Sequence, residues 1–238
     1  MKAIFQQIIH VCGREIRFLR EHLGEVEQAW FTLFRSPLRL SVEAVESEML
    51  RMLEREHCSK VYSTYLRLEV DGEGQWRLQI EGDSLYRGYV LRALRPDAVV
   101  IRFELPFDGL PTTAAAQSWQ TALCMARSRK VHSVVRMSED LTLLEGDGAP
   151  LFAVAARTVY TSREPRGVEG RLAREAIRRA GYPLEIIPLR RDHLPDIEEL
   201  FYVDHRGVTA FGICDDKPMM AAVAARVAEQ MEKIVRKK

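Results

Sequence analysis

The chain has 238 residues, 47% hydrophobic and 29% charged, and a formal net charge of +1 from 35 basic and 34 acidic side chains. That balance argues against a strongly charged nucleic-acid or anionic-membrane binder. The length allows one large domain or two small ones with a sizeable core. No apolar run approaches the roughly 20 residues needed to span a bilayer. The N-terminal stretch carries a charge inside its apolar segment and has no small-residue cleavage site, so no signal peptide is predicted. Cys12, Cys58, Cys124 and Cys214 are far apart and match no metal or disulfide spacing. Small buried thiols in a reducing compartment are the expectation, and the expected location is cytoplasmic. The basic runs at 127–130, 190–191 and 235–238 are short and read as solvated faces or helix ends. No internal repeat or low-complexity segment is present.

In chain order, residues 4–12 form an apolar first strand, with Gly13 as its turn. Residues 21–34 read as a helix, because Leu23, Val26, Trp30, Phe31 and Phe34 recur near helical spacing. Ser36–Pro37 ends it, since the residue before proline avoids the helical region. Ser41 is the expected N-cap of a second helix reaching residue 57, with a stripe of Val42, Val45, Met49, Met52 and Leu53. Residues 61–70 are rich in β-branched and aromatic side chains, and Asp71–Gly74 is a hairpin turn into a strand at 75–81. Residues 85–94 and 98–105 are two further strand candidates. The first half therefore reads as two helices on an antiparallel sheet.

Residues 106–111 (PFDGLP) are the best linker signal, dividing a domain at 1–105 from one at 112–238. Thr112 or Thr113 caps a helix running to residue 127. Strands are predicted at 131–137 and 141–145 as a hairpin-like pair, then at 151–155 and 158–161. A helix spans 168–180 and stops at Gly181. Strand 184–188 leads to a short helix at 192–199 broken near Pro195, then strands at 200–203 and 207–213. A closing helix covers 219–238.

Several segments, taken in order, resemble the class IV aminotransferases, the fold-type IV pyridoxal-phosphate enzymes. They are EGDGAPLFAV (145–154), ARTVYTS (156–162), PRGVEGRLAREAIRRAG (165–181), LPDIEELFYVDHRGVTAF (194–211) and, in the first half, FLREHLGEVEQAW (18–30). Branched-chain and D-amino-acid aminotransferases and aminodeoxychorismate lyase belong to that family. The resemblance covers nearly the whole chain, which is shorter than usual for the family. It implies an α/β fold, with an α+β N-terminal domain and an α/β C-terminal domain. It also implies a homodimer and a cofactor cleft between the domains.

The family chemistry needs a lysine for the Schiff base, a carboxylate on the pyridine nitrogen, a phosphate cup and donors for the substrate carboxylate. Aligned on Trp119, the Schiff-base position is Ala114, or Ala115 or Ala116 if the register slips, and no lysine occurs between Lys60 and Lys130. The pyridine-nitrogen carboxylate matches Glu145. The phosphate anchors match Glu25, Glu169 and His205, and two carboxylates where a dianion should sit would repel it. The backbone N–H groups of Gly167 and Val168 remain as anion donors at a helix start. Arg67 matches a strand arginine that faces the substrate in some members, and Tyr65 and Trp119 are candidate cleft-lining aromatics. The same residues read equally as a sheet-face ion pair and as core packing.

His193, Asp204 and His205, with Asp192 nearby, match no helix-borne metal motif, so no metal site is expected. No GxSxG, Walker A or GxGxxG motif occurs. The expectation is a non-transaminating relative without Schiff-base chemistry or bound pyridoxal phosphate, binding a small ligand in the interdomain cleft or serving in a structural, dimeric role. Two enzyme readings compete with it. One is a pyridoxal-phosphate aminotransferase or lyase using Lys130 or Lys60. The other is a cofactor-free enzyme built on Glu145, Arg67 and His205.

Overall fold

A computed structural model describes residues 2–236, and the chain separates into two compact units. The end of the basic tail at 235–238 and of the closing helix lies outside the described residues. The first unit comprises Met1–Gly88 with Phe107–Ala116, and the second Tyr89–Pro106 with Gln117–Lys238. Residues 89–106 thus group with the second unit, and most of the PFDGLP segment with the first.

In the first unit, β1 (Ala3–Cys12) pairs antiparallel with β2 (Glu15–Ile16) across a turn at Gly13, φ 63°. Helix α1 (Leu19–Phe34) follows, burying Leu23, Val26, Ala29 and Trp30, and closes at Arg35 in the left-handed region before Ser36–Pro37. Helix α2 (Val42–Arg55) starts at Ser41, whose hydroxyl accepts the Ala44 N–H at 3.1 Å. Strands β3 (Ser63–Asp71) and β4 (Trp76–Asp83) form a hairpin. Its turn is held by Asp71 Oδ1, which accepts the N–H groups of Glu73 (3.0 Å) and Gln75 (2.9 Å).

The four-stranded order is β2-β1-β3-β4. One face buries Phe5, Ile9 and Val11 of β1 with Leu66, Leu68 and Val70 of β3 against both helices, as a period of two requires. The extended strand expected at 85–94 does not form. Only β5 (Val90–Leu91) is present, and it belongs to the second unit, while Leu85 is 87% exposed. The segment lacks the alternating buried side chains that would hold a strand in register.

The second unit holds β6 (Asp97–Arg102), most of α3 (Thr113–Ser128), β7 (Ser133–Met137), β8 (Leu143–Gly146), β9 (Ala149–Ala155) and β10 (Thr158–Thr161). Then come α4 (Gly167–Arg179), β11 (Leu184–Ile186), a short 3-10 helix (Arg191–Asp196), β12 (Glu199–Asp204), β13 (Gly207–Ala210), β14 (Ile213–Cys214), β15 (Lys217–Pro218) and α5 (Ala222–Val235). The main sheet runs β15-β14-β6-β7-β8-β9-β12-β13-β5, with β10 on β9 and β11 on β10.

Strand β6 pairs in parallel with β7, so it is not part of the antiparallel first-half sheet that the sequence suggested. The strand expected at 207–213 divides at Phe211–Gly212. The helix expected at 192–199 is instead the short 3-10 helix, because Pro195 cannot donate and Glu199 enters β12. Lys217 caps that helix, its Nζ donating to the carbonyls of Leu194 (2.6 Å) and Ile197 (2.5 Å).

Helix α4 buries Val168, Leu172, Ala173, Ala176 and Ile177 and packs beside α5, which buries Val223, Val227 and Met231. The buried carboxylate of Glu199 accepts the first N–H groups of α5, from Val223 (2.9 Å) and Ala224 (3.1 Å). It therefore caps that helix and complements its dipole.

Candidate functional site

Strands β7 and β8 place Arg136 directly across from Glu145 in register. The arginine is fully buried, a charge in the middle of SVVRM, and such a charge needs a partner. Its Nε donates to Glu145 Oε2 at 2.6 Å. The other oxygen, Oε1, accepts from the guanidinium of Arg163. Arg163 is brought there by the residue before it: the Ser162 hydroxyl donates to the carbonyl of Leu143 on β8 and accepts the Leu189 N–H at 3.1 Å. Glu145 itself is 8% exposed. Glu104, on the solvent side, approaches Arg136 at 3.7 Å.

The next residues make a tight β8–β9 turn. Asp147 and Gly148 both have positive φ (47° and 87°), as a two-residue hairpin of this hand requires. Asp147 accepts the Val134 N–H (2.8 Å), the Ser133 hydroxyl (2.7 Å) and the Tyr202 hydroxyl (3.1 Å). Burial pushes its carboxyl up, and those hydrogen bonds partly offset the shift. Burial and the charge of Asp147 push the Tyr202 hydroxyl up as well. Gly146 lets Tyr202 close in, since a Cβ there would lie 2.9 Å from Tyr202 Cδ1. Trp119 of α3 is buried, covers Gly148 and meets Phe103 edge-on at 5.1 Å.

Gly167, Val168 and Glu169 form the first turn of α4. Gly167 has φ 78°, and Arg166 gives no side-chain cap. Glu169 is buried there and accepts the hydroxyl of fully buried Tyr89 at 3.4 Å. The backbone N–H of Tyr89 is in turn taken by Glu232 of α5 at 2.9 Å. A carboxylate in the first turn of a helix interacts favourably with its dipole.

His205 lies on the β12–β13 turn. Beside it Asp204 accepts the Arg206 N–H (2.8 Å) and its Nε (2.7 Å). Burial would raise the Asp204 carboxyl, but the charges of His205 and Arg206 outweigh it and hold the carboxyl below its usual range. Gly207 closes this turn at φ 116°, and a Cβ there would stand 2.3 Å from the Val90 carbonyl oxygen.

The remaining candidates lie in the first unit. Ala114 sits in the opening turn of α3, behind Thr112, whose hydroxyl accepts the Ala115 N–H at 3.2 Å. Glu25 accepts Gln7 Nε2 at 3.0 Å, and the same Gln7 nitrogen lies 2.8 Å from His22 Nδ1. Tyr65 is buried against the ring of His10, which meets the Ser63 hydroxyl at 2.7 Å. Arg67 is in a charge ladder on the β3–β4 face. It donates to Glu81 at 2.7 Å and lies 3.6 Å from Glu69, which also accepts Arg77 Nε at 2.6 Å.

Sequence reasoning missed Arg136, Arg163, the Asp147–Ser133–Tyr202 cluster and Tyr89. A usable signal for Arg136 was present, since a lone arginine inside an apolar strand demands a carboxylate on the neighbouring strand.

No protein-family model matches the chain, and no curated protein matches its sequence. Solved structures do match over nearly its whole length. A fold IV transaminase from Curtobacterium pusillum superposes with a TM-score of 0.77 at 19% identity, covering 99% of this chain and 87% of that one. A branched-chain aminotransferase from Thermoproteus uzoniensis, solved with norvaline, gives 0.80 at 16%, covering 99% and 86%. An aminotransferase from Brucella abortus bound to pyridoxal phosphate gives 0.82 at 13%, covering 98% and 89%. The chain has the fold of the fold-type IV aminotransferases.

Identities this low establish the fold and leave the chemistry to the residues. Among the described residues no group of three or more His, Cys, Asp or Glu side chains is arranged to hold a metal. Among the described residues no helix is long and apolar enough to cross a membrane. In the second unit an open cavity of about 450 Å³ is lined by Arg191, Leu194, Pro195, Cys214, Asp215 and Lys217. Within it Arg191 pairs with Asp215 at 2.5 Å.

Proposed function

We propose that this chain is a non-transaminating member of the aminotransferase fold, one that binds a small ligand or assembles with a second copy of itself. The observation that carries the reading is Ala114. A methyl group stands where the family alignment needs the Schiff-base amine, and no lysine follows before Lys130.

The other residues do not fit pyridoxal phosphate either. Both oxygens of Glu145, the match for the pyridine-nitrogen carboxylate, already accept guanidinium N–H groups. The opening turn of α4, where Gly167 and Val168 would offer N–H groups to a phosphate, carries the buried carboxylate of Glu169. Glu25, in the position of the phosphate-binding arginine, is a hydrogen-bond acceptor for Gln7. The cavity beside Arg191 is one place to screen for a small polar ligand, with Arg191 already paired to Asp215 and Lys217 to backbone carbonyls. The four free thiols agree with a reducing, cytoplasmic setting.

Titration with pyridoxal phosphate, followed by visible absorbance, tests the reading. The expected result is the spectrum of the free aldehyde at every protein concentration. A new imine band that saturates at one equivalent would restore the aminotransferase or lyase reading. Light scattering on the purified chain tests the dimer, and a monomer at all concentrations would remove that part.

A further inference from the structure

Resting on the reading above, we infer that the polypeptide itself supplies the charges that a cofactor would bring to this fold, so that the second unit is neutralised and closed from within. Two poles carry the argument. At the first, the guanidiniums of Arg136 and Arg163 stand on the two oxygens of Glu145, where a ring cation would otherwise stand. Both come from the element order, Arg136 by strand register and Arg163 through the Ser162 tie to β8. Arg136 is fully buried and Glu145 nearly so, so neither can exchange its partner for water without cost.

At the second pole, the opening turn of α4 carries Glu169, buried and met by the Tyr89 hydroxyl. The helix dipole there receives a fixed carboxylate where a bound anion would otherwise sit. Tyr89 is held in that place by its own N–H bond to Glu232 and by β5, whose Val90 packs so close to Gly207 that only glycine fits. Glu145 is thus a counter-ion for two arginines, and its removal should cost folding stability where, in a cofactor enzyme, it would cost cofactor affinity.

Thermal melts of the full chain with and without pyridoxal phosphate test this. Glu145→Gln is expected to lower Tm by on the order of 10 °C, because it takes away the buried carboxylate that Arg136 meets at 2.6 Å. The triple variant R136M/E145L/R163M is expected to melt within a few degrees of wild type, since an apolar replacement of a whole buried charge cluster is often neutral. Glu169→Gln should lower Tm by roughly 1–4 °C. Pyridoxal phosphate is expected to shift none of them.

An E145Q protein that melts with wild type overturns the inference. So does a triple variant as unstable as E145Q. Should E145Q fail to fold, the triple decides: soluble and near wild type supports internal neutralisation, and insoluble refutes it. A wild-type Tm that rises with pyridoxal phosphate, with no lysine trapped by borohydride, overturns the internal filling and leaves the loss of Schiff-base chemistry standing. A trapped lysine overturns that underlying reading first.

Discussion

Glu145 and Glu175 each face two arginines, and the two settings give the same chemistry different work. Glu145 lies on β8 between Arg136 and Arg163 and is almost wholly buried. Glu175 lies on the outer face of α4 and accepts from Arg178 (2.8 Å) and Arg179 (2.7 Å) in open solvent. Water screens the second cluster, so it contributes little, as exposed ion pairs on one helix do. The first cluster is held in a medium of lower dielectric, where an unmatched charge has nowhere to go. Similar triads can thus be decorative on a surface and structural in a core.

The widest buried-against-exposed contrast should be seen at the cysteines. Burial pushes the Cys214 thiol from 9.0 up to about 12, while Cys124 is exposed. Iodoacetamide at pH 8 should therefore label Cys214 roughly a thousandfold more slowly than an ordinary thiol. Peptide mapping should find Cys124 modified and Cys214 intact, and equal labelling would show that the β14 region opens readily.

Next in size is Glu145→Gln, expected to cost about 3–5 kcal/mol by taking from fully buried Arg136 the carboxylate it meets at 2.6 Å, with exposed Glu104 at 3.7 Å a poorer counter-charge, measured by denaturant unfolding. Arg163→Met should cost less, about 1–2 kcal/mol, because Arg163 keeps 24% of its side chain in solvent and Glu145 retains Arg136. An equal cost for the two would break the distinction drawn between the buried and half-exposed arms of the triad.

The smallest effect is expected at Glu175→Gln, whose melt should overlay wild type at neutral pH. Its pH dependence sharpens the comparison. The two arginine hydrogen bonds lower the Glu175 carboxyl from 4.5 to about 2. A lowered carboxyl contributes stability that is present above 4.5 and is lost as pH falls through about 2. Wild type and E175Q should therefore converge in acid, and any gap between them should lie at higher pH.

Much of the fold was legible. The strands at 4–12 and 61–70, the helical stripe of α2, the Ser41 cap, the Asp71–Gly74 turn and the stop at Gly181 follow local rules that the chain obeys, whereas Phe31 and Phe34 of the expected α1 stripe stay exposed. The pairing of β6 with β7 and the grouping of 89–106 with the second unit were not legible, because partner choice depends on distant contacts that no local pattern encodes. The candidate site divides the same way. The absence of lysine between Lys60 and Lys130 is read directly, while the match of Ala114 to the Schiff-base position comes from the resemblance. Arg136 and Arg163 become meaningful only when register and the Ser162 tie bring them to one carboxylate.

The most direct test of the account is chemical trapping. Purified protein is mixed with pyridoxal phosphate, reduced with borohydride, and its intact mass and peptides are read by mass spectrometry. The account expects an unmodified mass, with no pyridoxyl group enriched at any lysine. A stoichiometric adduct on a single lysine, Lys130 or Lys60 above all, would contradict it and return the chain to the working aminotransferases and lyases.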